Sequence, residues 1–357
     1  MSRNSTAILA LTRPAIPHAA RLAQAMPEAT FYAPGRYLAD AGASAAGYGE
    51  PLGDWLRETY RSHDSWVCFA AIGAIVRMLA PVLGEKTTDP AVVVVDAAAR
   101  FSVSVLAGHT GGGNRLACEV AEILGAQPVI TTASDSLGTI AVDLLGRDLG
   151  WNIAPNSDVT AVSACVVNGE PVAVLQEAGE RGWHPQGESL PGGLERVSKR
   201  SGITERFAAA LVITDNLAPD GELAMPHVVY RPKTLVVGIG CRRGVSIHEI
   251  EEAVRSTFAR AGLAFESIRA IATAERKRDE SGLSDFAASR GVPIRYYQAS
   301  ELASIDTPNP SERVLRELGT ASVCEAAALL ASGANALVVE KSRFSSVTVA
   351  VARIEGQ

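Results

Sequence analysis

The run Ala91 to Val95 reads AVVVV, and a second β-like run, Phe101 to Leu106, follows it. Successive β-branched side chains with no polar alternation leave no face for water. Such a strand must be buried on both sides, as in a parallel sheet covered by helices. The neighbouring segments agree with this. Thr6 to Thr12 is a short β-like run, and Pro14 to Met26 fits a helix. Ser65 to Ile72 is apolar, and Ala74 to Leu79 reads as a helix that stops at Pro81. Leu116 to Leu124 has helical spacing and closes at Gly125, a C-cap residue, before the β-like Pro128 to Thr132. Strand and helix signals that alternate in this way define an α/β layer structure with a mostly parallel sheet.

Near Gly150 the texture changes. Val159 to Asn168 reads as a helix, and Pro171 to Leu175, Ala208 to Thr214 and Val228 to Tyr230 as strands. Between them Glu177 to Gly193 is polar and rich in Gly and Pro, the pattern of a long loop. Arg231-Pro232-Lys233 looks like a joint, after which Thr234 to Ile239 restarts the strand-loop-helix pattern. Ser246 and Glu249 form an S-x-x-E capping box for a helix that ends at Gly262. Strands follow at Ser267 to Thr273, Pro293 to Tyr297, Ala336 to Glu340 and Val347 to Ala352, with helices at Leu283 to Ser289 and Val323 to Ala331. Ser311 is placed to cap a further helix. A chain of 357 residues exceeds one ordinary core. The expected architecture is two doubly wound, mostly parallel-sheet α/β domains, 1–149 and 233–357, joined by a smaller α/β middle segment, 150–232.

Several function classes are excluded or disfavoured. The net charge of -6 gives no support to nucleic-acid binding or to a basic membrane surface, although it leaves room for a local basic pocket. The most apolar region, Ala91 to Ala107, is interrupted by Asp96 and Arg100, so no membrane span is expected. The five cysteines are scattered without a CxxC pair, which indicates neither a zinc site nor a disulfide framework and fits a reduced, cytoplasmic location. His248-Glu249 lacks the second histidine of a zincin, and Gly84 to Thr87 lacks the upstream glycine of a P-loop.

Two glycine-rich turns carry the chemistry. The first, LAGHTGGGNRLA at Leu106 to Ala117, sets His109 at the end of a strand and before a helix. Gly111, Gly112 and Gly113 allow close backbone approach to a ligand, and a helix starts near Asn114, where free N–H groups favour an anion. His109 reads either as a general base beside a bound ligand or as a strand-end residue of a tight turn. Asp135, after the strand PVITTAS, either faces the same crevice or caps the next helix. The second turn, GIGCRRG at Gly238 to Gly244, is one residue too long for a dinucleotide fingerprint. Its Arg242 and Arg243 suit carboxylates or phosphates, and otherwise are a solvated surface pair. Lys277, Asp279 and Glu280 lie beyond the strand IRAIAT, as site residues or as a solvated charged loop.

The run from AIVRMLAPVLGEK through GHTGGGN to PVITTASD resembles the N-terminal signature of the cobalt-precorrin-5A hydrolase family, the CbiG proteins. LVVGIGCRRG, the K-x-DE run Lys277 to Glu280, PNPSE, SVCEAAALLASG and VTVAVAR resemble that family's C-terminal domain. The chain departs from the family at Gly113, where alanine is usual, and in the runs Ala274 to Lys277 and Lys341 to Phe344.

The resemblance implies cobalamin biosynthesis. It implies hydrolytic opening of the δ-lactone of a cobalt-bound, ring-contracted tetrapyrrole, with loss of acetaldehyde to give cobalt-precorrin-5B. It further implies no cofactor, since cobalt comes with the substrate, and neighbouring methyltransferases of the pathway as partners. On this reading His109 is the base, Asp135 orients it, and the amides of Gly111 to Asn114 steady the oxyanion. The carboxylates of the macrocycle would meet Gly108, Gly111, Gly112, Asn114, Arg242, Arg243, Lys277, Asp279 and Glu280. The alternatives are a carrier that binds the corrinoid intermediate without cleaving it and, more remotely, a nucleotide-binding oxidoreductase.

Overall fold

The computed structural model describes residues 5–42, 45–85, 88–109, 111–184, 189–217, 223–312 and 321–354. The chain divides into two compact units, Met1–Leu144 and Leu145–Gln357, so the middle segment and the C-terminal α/β region fall in one unit.

Among the described residues the first unit holds a seven-stranded sheet, in the order β3-β2-β1-β4-β5-β6-β7. Its strands are β1 (Thr6–Ala10), β2 (Thr30–Ala33), β3 (Ala45–Gly47), β4 (Ser65–Phe69), β5 (Ala91–Val95), β6 (Phe101–Leu106) and β7 (Gln127–Val129). The AVVVV run is β5, and all five of its residues are buried. Burial of each valine side chain contributes on the order of 1.5–3 kcal/mol. Alternate strand residues feed two cores. Ile16–Ala25 and Gly113–Leu124 cover the face that carries Val93 and Val95. Leu52–Thr59 and Ile72–Leu79 cover the face that carries Val92 and Val94. The sheet is therefore doubly wound, as expected.

One feature of its topology departs from the parallel pattern expected. β1 to β5 run parallel, but β6 is antiparallel to β5 and β7 is parallel to β6. The cause is local. The link between β5 and β6 is too short for a parallel crossover. Asp96 also closes it as a turn, accepting from the backbone N–H groups of Ala98, Arg100 and Phe101. Leu106 consequently pairs with Val92, so β6 ends beside the start of β5. The loops after β6 and β7 open at the sheet edge where β1 to β5 begin.

The second unit holds two five-stranded sheets among the described residues. The first contains β8 (Asn152–Ile153), β9 (Val172–Gln176), β10 (Leu194–Val197), β11 (Ala209–Ile213) and β12 (His227–Arg231), in the order β10-β9-β11-β12-β8. It is parallel except for β8. The middle segment is thus a full sheet layer. Its β10 carries Glu195 and Arg196 on an exposed edge, and β8 is only two residues long, so neither gave a strand signal. The loop over 177–193 has no helix or strand among its described residues.

The other sheet contains β13 (Leu235–Cys241), β14 (Ile268–Ala274), β15 (Ile294–Tyr297), β16 (Leu337–Arg343) and β17 (Val347–Arg353), in the order β15-β14-β13-β17-β16. β13 to β15 are parallel, and β17 is antiparallel to both β13 and β16. The Ser246–Glu249 capping box opens Ile247–Ala261 as expected. The helix expected after Ser311 falls on 313–320, outside the described residues.

The Arg231–Lys233 segment is not a loose joint. Arg231 is buried, and its guanidinium donates to the carbonyls of Thr214 and Asn216. Beside it Asp215, fully buried, accepts two 2.7 Å bonds from Arg353 and one from the Thr234 hydroxyl. Asp215 is out of water while Arg353 keeps 37% of its side chain exposed, so losing the arginine would leave a buried carboxylate without its cation.

Candidate functional site

The turn after β6 is held by its own backbone. The Gly112 N–H donates to His109 O, the Gly113 N–H to Ala107 O and the Asn114 N–H to Gly108 O. Three of the four amides assigned to an oxyanion are therefore already committed, which corrects that expectation. The glycines are needed for packing instead. Gly112 sits at φ +80, and a Cβ on Gly111 would stand 2.5 Å from the Ala107 Cβ. A Cβ on Gly108 would meet the Asn114 Oδ1 at 2.5 Å. Thr110 lies outside the described residues.

This turn aims His109 at residues that follow β7. His109 Nε2 lies 2.9 Å from Asp135 Oδ2 and 3.0 Å from Ser134 Oγ. Its Nδ1 lies 3.2 Å from Asp143 Oδ1. The histidine side chain keeps 12% of its surface exposed. Asp135 does not cap Ala133–Leu137, because Thr132 holds the N-cap position. The Thr132 hydroxyl and the Asn114 Nδ2 both donate to Asp135 Oδ2, and Asn114 Nδ2 also donates to Thr132 Oγ1. The Thr132 bond is the largest cause that holds the Asp135 carboxyl below its ordinary pKa. The Asn114 bond and, whenever Nε2 carries a proton, the His109 bond add to it, and together they outweigh partial burial. Asn114 therefore supports Asp135 from within the cluster.

Ser134 and Asp143 were missed in the sequence. Asp143 is the one acid in the apolar stretch IAVDLLG, and that isolation is the signal that could have found it. Ser134 gives no signal at all, since only the fold of the turn brings it to His109.

The second glycine turn lines a cleft of about 660 Å³ in the C-terminal region of the second unit. Arg242, Arg243, Arg276, Lys277, Lys341 and Arg343 contribute to its wall, and no acid does among the described residues. Six cations around one cleft, in a chain of net charge -6, define a site for a ligand with several negative groups. Arg242 and Arg243 are exposed and have no side-chain hydrogen bond or ion pair among the described residues.

Lys277 and Glu280 are different. Glu280 is buried, accepts from the Gly244 N–H at 2.8 Å, and lies 3.1 Å from Lys277 Nζ. Burial raises the Glu280 pKa, but the Gly244 and Lys277 bonds and the charges of Lys277 and Arg243 outweigh it and hold it below the ordinary value. Glu280 is thus a latch between the two loops that flank the cleft, and it does not line it. Asp279 is exposed and lies outside the lining. The helix N-terminus after the turn is closed by its capping box, so anion binding rests on the side chains.

Among the described residues no group of three His, Cys, Asp or Glu side chains is arranged to hold a metal ion. No helix among them is long and apolar enough to cross a membrane.

Fold and site together define a multi-sheet α/β protein with an acid–base cluster around a single histidine in the first unit and a polycationic cleft in the second. Its sequence matches three family models in succession. These are the Cobalamin synthesis G N-terminal region over 54–135, the Cobalamin biosynthesis central region over 140–232 and the Cobalamin synthesis G C-terminus over 235–352. It is 42% identical to the cobalt-precorrin-5A hydrolase of Priestia megaterium, over 84% of this chain and 81% of that one. It is 30% identical to the enzyme of the same name from Salmonella typhimurium strain LT2, over 82% of this chain and 83% of the relative. Protein CobE of Sinorhizobium sp is 32% identical over 33% of this chain and 79% of its own. The chain belongs to the cobalt-precorrin-5A hydrolase family.

Proposed function

We propose that this protein opens the δ-lactone of cobalt-precorrin-5A with water and releases acetaldehyde, as a hydrolase of cobalamin biosynthesis. The carrying observation is the enclosure of His109 between Asp135 and Asp143. With one ring proton on Nδ1, facing Asp143, Nε2 is free to take a proton from the attacking group. Hydrolysis converts the lactone to a carboxylate and frees a hydroxyethyl substituent on the macrocycle. Loss of its O–H proton forms the C=O of acetaldehyde. The C–C bond electron pair passes to the macrocycle, which is protonated. His109 is the base for these transfers, a role worth roughly 10²–10⁴-fold in rate.

The polycationic cleft of the second unit suits acetate and propionate groups of the kind the macrocycle carries, with Arg242 and Arg243 gripping carboxylates through paired N–H donors. Cobalt arrives as part of the substrate, water is the only co-reactant, and the reaction needs no cofactor. The scattered thiols support a cytoplasmic location, with pathway methyltransferases supplying and receiving the intermediates.

The test is acetaldehyde release from enzymatically prepared cobalt-precorrin-5A. The wild-type protein is expected to release it, His109→Ala to fall by about 10²–10⁴-fold, and Arg242→Ala with Arg243→Ala to raise KM. A spectral shift on binding without acetaldehyde would overturn the hydrolase and leave a corrinoid carrier.

A further inference from the structure

The His109 cluster contains one group that simple water activation leaves without a role. Ser134 is only 6% exposed, yet its hydroxyl points at the histidine and not at solvent or a helix carbonyl. Ser134 Oγ, His109 Nε2, His109 Nδ1 and Asp143 Oδ1 stand in series, with gaps of 3.0 Å and 3.2 Å at the two ends of the ring. This is the relation of nucleophile, base and orienting carboxylate by which a hydroxyl is made reactive, recognised by geometry and not by order in the chain. We propose that Ser134 is the attacking nucleophile and that the lactone opens through an ester to Ser134. The inference rests on the hydrolase reading and adds a covalent intermediate to it.

The Ser134 hydroxyl gives its proton to His109 Nε2 as its oxygen bonds to the lactone carbonyl carbon. The ring C–O bond breaks, and the departing oxygen takes that proton and becomes the hydroxyethyl hydroxyl. The acyl group is now an ester of Ser134. A water molecule, deprotonated by the same Nε2, attacks the ester carbonyl. The Ser134 oxygen leaves and recovers that proton from Nε2, and the new carboxylic acid departs and ionises to the carboxylate by giving its remaining proton to solvent water.

The second carboxylate then has a defined task. While Nε2 is unprotonated, Asp135 Oδ2 is satisfied by Thr132 and Asn114. Once Nε2 takes the serine proton, Asp135 Oδ2 lies 2.9 Å away to accept from it. Asp143 holds the ring in the tautomer that accepts from serine, and Asp135 stabilises the imidazolium that results. Both are positioning residues.

The experiment uses the full chain in two arms. In the first, a fluorophosphonate, an electrophile for activated serines that needs no tetrapyrrole, is added and the labelled peptide is identified by mass. Labelling is expected at Ser134. It should be abolished in His109→Ala and slowed at least tenfold in Asp143→Asn. In the second, wild-type protein mixed with cobalt-precorrin-5A is quenched in acid, and a substrate-derived ester is expected on the peptide that contains Ser134. Ser134→Ala should lose at least 10³-fold in acetaldehyde release with an unchanged circular dichroism spectrum. Should that variant misfold, Ser134→Cys keeps the size of the side chain and is expected to form a trapped thioester.

Full acetaldehyde release by a folded Ser134→Ala protein would overturn the covalent route and leave the hydrolase intact. So would wild-type activity with no label and no ester. Absence of acetaldehyde from the wild-type protein, with Ser134 still labelled, would overturn the lactone substrate and retain the activated serine.

Discussion

Glu280 lends itself to a quantitative prediction, because it joins the two loops beside the cationic cleft through one buried carboxylate. Replacing it with alanine removes the acceptor of the Gly244 N–H and the partner of Lys277. A hydrogen bond to a charged group contributes about 1.5–3 kcal/mol. Lys277 keeps 18% of its side chain exposed and can turn toward water, so its lost ion pair adds little. Local opening of the Gly238 to Gly244 turn should therefore become easier by about 1.5–3 kcal/mol, or roughly 10- to 150-fold in its equilibrium constant. Hydrogen exchange followed by mass spectrometry reads this directly. In Glu280→Ala, the peptide that spans the turn is expected to exchange faster by that factor, while peptides from β1 to β5 in the other unit stay unchanged. Glu280→Gln keeps an acceptor without the charge and should show about half the free-energy change. Exchange at the turn within about threefold of wild type would refute the latch.

Two further outcomes follow from the same physics. A Gly111→Ala substitution puts a Cβ 2.5 Å from the Ala107 Cβ and 2.8 Å from the Ala107 carbonyl, so the turn must shift and His109 with it. Acetaldehyde release should fall at least tenfold, at a stability cost of about 1–3 kcal/mol. Wild-type rate together with wild-type Tm would show that the turn does not set the histidine. The second concerns pH. Asp96, Asp135 and Glu280 all have pKa values held below the ordinary carboxylate range, and for Asp96 the backbone bonds from Phe101, Arg100 and Ala98 outweigh burial. A depressed folded pKa stabilises the protein above the unfolded pKa, and that contribution disappears as pH falls through the folded value. Urea-monitored stability should be flat above about pH 5 and decline below about pH 4. Asp96→Asn should make the decline shallower, and an unaltered slope would count against the turn carboxylate.

Much of this protein was determined by its sequence alone. The AVVVV strand, the alternation of strands and helices, the Ser246–Glu249 capping box and the His109 turn each depend on interactions among near neighbours. Period, β-branching and caps report those directly. The partnership of His109 with Asp135 was also legible, because both follow strands and polar groups gather at strand ends. The cationic wall showed only in part, since Arg242, Arg243 and Lys277 stand in marked motifs while Arg276, Lys341 and Arg343 do not.

Tertiary structure alone decided the rest. The short link after β5 already forces the reversal at β6, but only the folded sheet shows that it moves the histidine to the opposite end of the sheet from the one parallel topology would assign. Asp143 and Ser134 become partners of His109 only when the segments after β6 and β7 are folded against each other, and no spacing rule relates them. Glu280 read as a ligand residue and proved to be a latch, because its neighbour in space is the Gly244 amide. Short-range physics writes itself into sequence pattern. Contacts between distant segments depend on the direction in which each strand runs, and pattern does not carry direction.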